Sequence, residues 1–126
     1  MNEEYLYKDL TSEIIGCFYE VYNELGYGFL EKVYENALKY ELEKKGFKVE
    51  KQKPITVFYD EIKVGEYFAD LIVDDAVILE LKAAESLCEE HEYQLINYLK
   101  ATYIEVGLLL NFGKKPEIRR KIFTNK

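Results

Sequence analysis

Asp70, Glu80 and Lys82 stand in a stretch that is otherwise largely apolar, Phe68-Ala69-Asp70-Leu71-Ile72-Val73-Asp74-Asp75-Ala76-Val77-Ile78-Leu79-Glu80-Leu81-Lys82. Strand side chains alternate faces, so Glu80 and Lys82 share one side and Leu79 and Leu81 the other. Charges on apolar strands are costly to bury unless they pair or bind a metal. Register decides whether Asp70 joins them. A two-residue loop, Asp74-Asp75, sets Asp70 opposite Leu79. A three-residue loop, 74–76, pairs Val73 with Val77 and sets Asp70 opposite Glu80. Two carboxylates then lie about 5 Å apart, and a hard divalent cation relieves their repulsion. Mg²⁺ takes one or two carboxylates, keeps several waters and accepts phosphate oxygens. Such a metal activates water and offsets charge on a phosphodiester. A lysine beside it can orient the attacking water or steady the developing anion. The chemistry is metal-assisted phosphodiester hydrolysis. The competing reading is a structural salt bridge, or charges at the wet end of a sheet, and the local pattern leaves both open.

The elements that must position these residues follow from periodicity. A first helix is expected from about Ser12 to Leu25, capped by Thr11 or Ser12, with Ile14, Ile15, Phe18, Tyr22 and Leu25 on one face and Gly26 as its stop. After the elbow Tyr27-Gly28, a second helix spans about Phe29 to Lys45. Its apolar stripe is Leu30, Val33, Tyr34, Ala37, Leu38 and Leu42, and Gly46 ends it. The pattern then changes to strands: Ile55 to Tyr59 after Pro54, Ile62 to Val73 after the turn Asp60-Glu61, and Val77 to Lys82. A helix from about Glu89 to Ala101, a buried strand Val106 to Phe112 and an edge strand Arg119 to Phe123 complete the order. With no repeat and no linker, the 126 residues read as one α/β domain.

Several blocks resemble a known family. Asp70 with Glu80-Leu81-Lys82 is similar to the paired signature of the PD-(D/E)XK nuclease superfamily. Gly28-Phe29-Leu30-Glu31-Lys32-Val33-Tyr34 resembles the signature of its GxxExxY branch. So do His91-Glu92-Tyr93-Gln94-Leu95-Ile96-Asn97-Tyr98-Leu99 and Gly107-Leu108-Leu109-Leu110-Asn111-Phe112-Gly113. The resemblance implies a restriction-endonuclease-like αβββαβ core preceded by an extra N-terminal helix. It implies that Asp70 and Glu80 hold Mg²⁺ or Mn²⁺ and that Lys82 assists the water. It also implies that Glu31 completes the site as a metal or water ligand, and that Gln94 reaches it from the following helix. Against these stand plainer roles: a first-turn glutamate favoured by the helix dipole for Glu31, and an ordinary amphipathic-helix residue for Gln94. His91 lies on the same helix face, where a structural or substrate contact outranks catalysis. Tyr34 and Tyr98 are read as packing residues with a hydroxyl near the site.

Composition bounds the rest. The net charge of −7 excludes a protein that coats nucleic acid through overall basicity. The charge is uneven: two basic segments, 43–53 and 114–126, bracket a centre of net −9 over residues 54–113. These segments offer lysines and arginines to a phosphate backbone, and weak, strongly salt-dependent and metal-dependent binding is expected. Cys17 and Cys88 with a single histidine do not suit a zinc site. No apolar run is long enough for a membrane span, and the charged first ten residues carry no signal segment, so a cytoplasmic protein without membrane contact is expected. The function expected is hydrolysis of nucleic acid, DNA ahead of RNA. Two alternatives are a homodimeric interaction module that keeps the fold without turnover, with Tyr5, Tyr7, Tyr19 and Tyr22 as its surface, and a metal-dependent hydrolase of a small phosphorylated substrate.

Overall fold

The computed structural model describes residues 6–124. Its elements are α1 (Lys8–Leu25), α2 (Glu31–Lys44), β1 (Val49–Tyr59), β2 (Ile62–Val73), β3 (Val77–Lys82), α3 (Glu89–Lys100), β4 (Val106–Phe112) and β5 (Pro116–Ile122). The strands form one sheet in the order β1-β2-β3-β4-β5. Consecutive strands pair antiparallel except β3 and β4, which run parallel and are joined through α3, as a parallel connection requires.

Helices cover both faces of this sheet. α1 buries Ile14, Cys17, Phe18 and Val21, spaced i, i+3, i+4 and i+7, against β-strand residues such as Leu79, Leu108 and Phe112. α2 adds Tyr34, Leu38 and Leu42 to the same core. On the opposite face α3 buries Leu95, Tyr98 and Leu99 against Ile55, Ile72, Ile78 and Leu109. The central strands β3 and β4 are thus apolar on both faces, which makes the one buried carboxylate of β3 conspicuous.

Three expectations shift. α1 begins at Lys8, so Thr11 lies inside the helix and its hydroxyl donates to the Lys8 carbonyl instead of capping. β1 begins at Val49 and carries Pro54 within it; this is possible because β1 is an edge strand, whose outward N–H groups need no partner strand. The stripe of α2 also rotates. Leu30 and Val33 are exposed, and Glu35 takes an inward position beside Tyr34 and Leu38. Of the tyrosines considered for a dimer surface, Tyr7 and Tyr19 are exposed, while Tyr22 is half-buried with its hydroxyl 2.8 Å from the carbonyls of Gly113 and Lys114. Tyr5 lies outside the described residues.

Candidate active site

The loop between β2 and β3 has three residues. Val73 pairs with Val77, Ile72 with Ile78 and Leu71 with Leu79. Asp74 and Asp75 adopt left-handed backbone (φ 53° and 52°), and the Ala76 N–H donates to the Val73 carbonyl at 2.9 Å. Asp74 is tied to Lys48 twice, through its own N–H and by accepting the Lys48 N–H, which anchors the turn to the start of β1.

After Leu71 and Leu79 the two strands part. β2 continues along β1 and β3 along β4. Asp70 and Glu80 occupy the fork, and their carboxylates take over the hydrogen bonds that the ladder no longer makes. The Asp70 N–H donates to Glu80 Oε2 (3.1 Å), and the Leu81 N–H donates to Asp70 Oδ2 (2.8 Å). Glu80 is only 4% exposed. Its burial, and next the Asp70 charge, push its carboxyl up to about 8, against the opposing effects of the Asp70 N–H and Lys82; Glu31 adds a smaller upward push.

Lys82 ends β3. Among the described residues it forms no ion pair with either carboxylate. Its Nζ donates to Gln94 Oε1 on α3 at 3.3 Å, and Gln94 Nε2 donates to the Tyr98 hydroxyl at 3.0 Å. Tyr98 is buried, and that burial, with the nearby Glu80 charge, raises its hydroxyl to about 12. A structural salt bridge is therefore not what these charges build.

The structure brings Asp70, Glu80, Lys82 and Gln94 together. Glu31 stands apart: it is exposed in the first turn of α2 and reaches Glu80 through its charge alone. No group of three or more His, Cys, Asp or Glu among the described residues is arranged to hold a metal, so the carboxylate set is the Asp70–Glu80 pair. Two neighbours escaped the sequence reading. Glu35, 6% exposed, accepts from Gln52 Nε2 (2.9 Å), and the same amide donates to Asp70 Oδ1 (3.2 Å). Burial is the main cause that raises the Glu35 carboxyl, and Asp70 adds to it. Gln52 sits opposite Asp70 between the pairs Lys51–Leu71 and Lys53–Ala69, in left-handed backbone at φ 53°.

The remaining quoted residues hold the frame. The Tyr34 hydroxyl donates to the Gly26 carbonyl (2.7 Å) and accepts from the Phe29 N–H (3.2 Å), while its ring stacks on Phe112 at 4.3 Å. It thus packs as expected and secures the elbow, where Gly28 has φ 111°. His91 Nδ1 accepts the Cys88 N–H at 3.3 Å, a cap of α3. Asn111 is fully buried and clamps Ala84, accepting its N–H at 2.9 Å and donating to its carbonyl at 3.0 Å. That clamp fixes the chain leaving Lys82. Two clefts adjoin the site: one of about 800 Å³ against Gln94 and Tyr98, and one of about 620 Å³ between the α2 elbow and Ala83–Glu85.

A family model of the PD-(D/E)XK nuclease superfamily matches residues 8–121. The chain belongs to that superfamily. Its restriction-endonuclease-like core runs from α2 through β4, with α1 placed before it and β5 closing the sheet edge. No curated protein and no solved structure matches the chain. Nuclease chemistry on nucleic acid with divalent metals is the usual business of PD-(D/E)XK proteins, and the fork of β2 and β3 carries the carboxylate, carboxylate and lysine of that name. No helix among the described residues is long and apolar enough to cross a membrane.

Proposed function

We propose that this PD-(D/E)XK protein is a Mg²⁺- or Mn²⁺-dependent nuclease of the GxxExxY branch that hydrolyses nucleic-acid phosphodiester bonds, DNA ahead of RNA. The observation that carries the proposal is the fork at which Asp70 and Glu80 meet while Lys82 is held off them by Gln94. The donor set fits a hard cation. Both ligands are carboxylates, and Glu80 holds a proton to about pH 8 because its burial and the Asp70 charge outweigh the Asp70 N–H and Lys82. A divalent metal is the natural replacement for that proton.

Asp70 and Glu80 would hold the metal, with Glu31 acting through water from the first turn of α2. When bound, the metal supplies Lewis acidity toward the phosphate and an activated water. The chain's own residues do the positioning. Tyr98, neutral at any ordinary pH, accepts from the Gln94 amide nitrogen and so turns the amide oxygen toward Lys82. Lys82 is thereby presented at the strand end as an oriented ammonium that can steady the anion developing at phosphorus. Gln52 links Asp70 to Glu35 and fixes the Asp70 oxygen that Leu81 does not hold.

The test is a cleavage panel of supercoiled, linear and single-stranded DNA and RNA with Mn²⁺. Asp70→Ala, Glu80→Ala and Lys82→Ala should each lower cleavage about 100-fold or more while the protein stays folded. Full activity in any one of the folded variants overturns the assignment.

A further inference from the structure

The larger cleft lies between α3 and the outer half of the β1–β2 hairpin. Its walls present four aromatic rings, Phe58, Tyr67, Tyr93 and Tyr98, and two side-chain amides, Gln94 and Asn97. Phe58, Tyr67 and Tyr93 are each more than half exposed, an unusual grouping for rings that could have packed inward. The two charges on the lining, Glu90 and Lys100, are of opposite sign. The cleft therefore offers ring faces and amides, with little field. It adjoins the candidate active site through Gln94, which lines the cleft and accepts from Lys82, and through Tyr98, which lines it and accepts from Gln94; Tyr67 contacts the Tyr98 ring at 5.7 Å.

We infer that this cleft seats an unpaired nucleobase beside the scissile phosphate, which makes single-stranded nucleic acid the substrate class; the inference rests on the nuclease reading above. A free base brings a flat π face for the rings and donor and acceptor edges for the amides. A base inside a duplex has its faces stacked and its pairing edge occupied, so it cannot present either without being extruded. The volume of about 800 Å³ is that of a small-ligand site and suits a nucleoside, not a groove for a double helix. Charge points the same way. A molecule of net −7 gains little from an extended phosphate backbone, whereas stacking needs no positive field.

The chain contains no tryptophan, so Phe58→Trp installs a single fluorescent reporter at the rim of the cleft. The titration is run without metal, so that nothing is cleaved. Its probes are a short oligothymidylate strand, an abasic strand of the same length and a blunt duplex. The base-bearing strand should quench the reporter, and the abasic strand and the duplex should not. In the same background Tyr93→Ala should weaken binding about tenfold, and Tyr93→Phe, which keeps the ring, should retain it. Equal quenching by the abasic strand or the duplex, or none by the single strand, overturns the inference. Base-dependent quenching without metal-dependent cleavage would retain the base site and sink the nuclease reading. Cleavage of duplex and single strand at equal rates, without base-dependent quenching, would do the reverse.

Discussion

Glu80 is the residue at which folding and the proposed chemistry oppose each other. Its carboxyl is raised from an ordinary 4.5 to about 8, first by burial and then by Asp70. Between those values the folded chain holds a proton that the unfolded chain has lost, so stability falls as pH rises from 4.5 to 8. The stability owed to the protonated form is complete below 4.5 and lost by pH 8, a change on the order of a few kcal/mol. Glu80→Gln keeps the shape and removes the titration. Without metal, its melting temperature should exceed that of the unmodified protein at pH 8, and the two should converge near pH 5. Mn²⁺ should close the gap at pH 8 by stabilising the unmodified protein alone. Parallel pH profiles would remove Glu80 as the cause. At this scale Asp70, Glu80 and Lys82 were legible because three charges interrupt apolar strands. Glu35 was not: Leu30 and Val33 looked like the better stripe residues, and only packing against the sheet shows that the helix turns them outward. Gln52 left no trace, since nothing in the chain foretells a glutamine at φ 53°.

The elements hold the site by a few close approaches, and Gly113 makes the tightest. A Cβ there would lie 2.2 Å from the Ala84 carbonyl oxygen, in the segment that leaves Lys82 and is clamped by Asn111. Backbone cannot yield as a flexible side chain can. Gly113→Ala should therefore cost about 1–3 kcal/mol in urea unfolding and should depress activity by displacing the chain after Lys82. Gly16→Ala is the matching control, because a Cβ there meets nothing within 4 Å on an exposed face of α1. It should stabilise by about 0.5–1 kcal/mol. Equal effects of the two substitutions would remove the close approach as the reason for glycine at 113. The strands β2, β3 and β4 were legible to the residue, because turn residues bound each apolar run. The decisive register was legible only as a choice. Nothing local selects three loop residues over two; the paired bonds between Asp74 and Lys48, 26 positions apart, tie the loop to a distant strand. The starts of α1 and β1 were missed because Thr11 and Pro54 carry local signals that tertiary position overrides.

For the whole molecule, the question is what a chain of net −7 can use to hold a polyanion. The two basic segments were the expected handles, yet the fold gives most of their charges a nearby carboxylate. Lys48 lies 3.0 Å from Asp75, Lys53 3.0 Å from Glu50, and Lys45 3.6 Å from Glu13. Lys121 and Arg119 both meet Glu92. Such surface pairs stabilise the fold little, but they leave the local field close to neutral. Lys114 and Lys115, at the turn between β4 and β5, are exposed and have no ion pair among the described residues. Each phosphate neutralised on a single strand adds about −0.7 to the slope of log binding constant against log salt. Two such contacts give a slope of about −1 to −2, shallower than the sequence alone suggested. Lys114→Ala with Lys115→Ala should flatten it further, measured by strand binding between about 50 and 200 mM salt without metal. A slope steeper than about −4 would mean that the paired lysines exchange their carboxylates for phosphates on binding, and that the basic segments, not the aromatic cleft, supply the main grip on the strand.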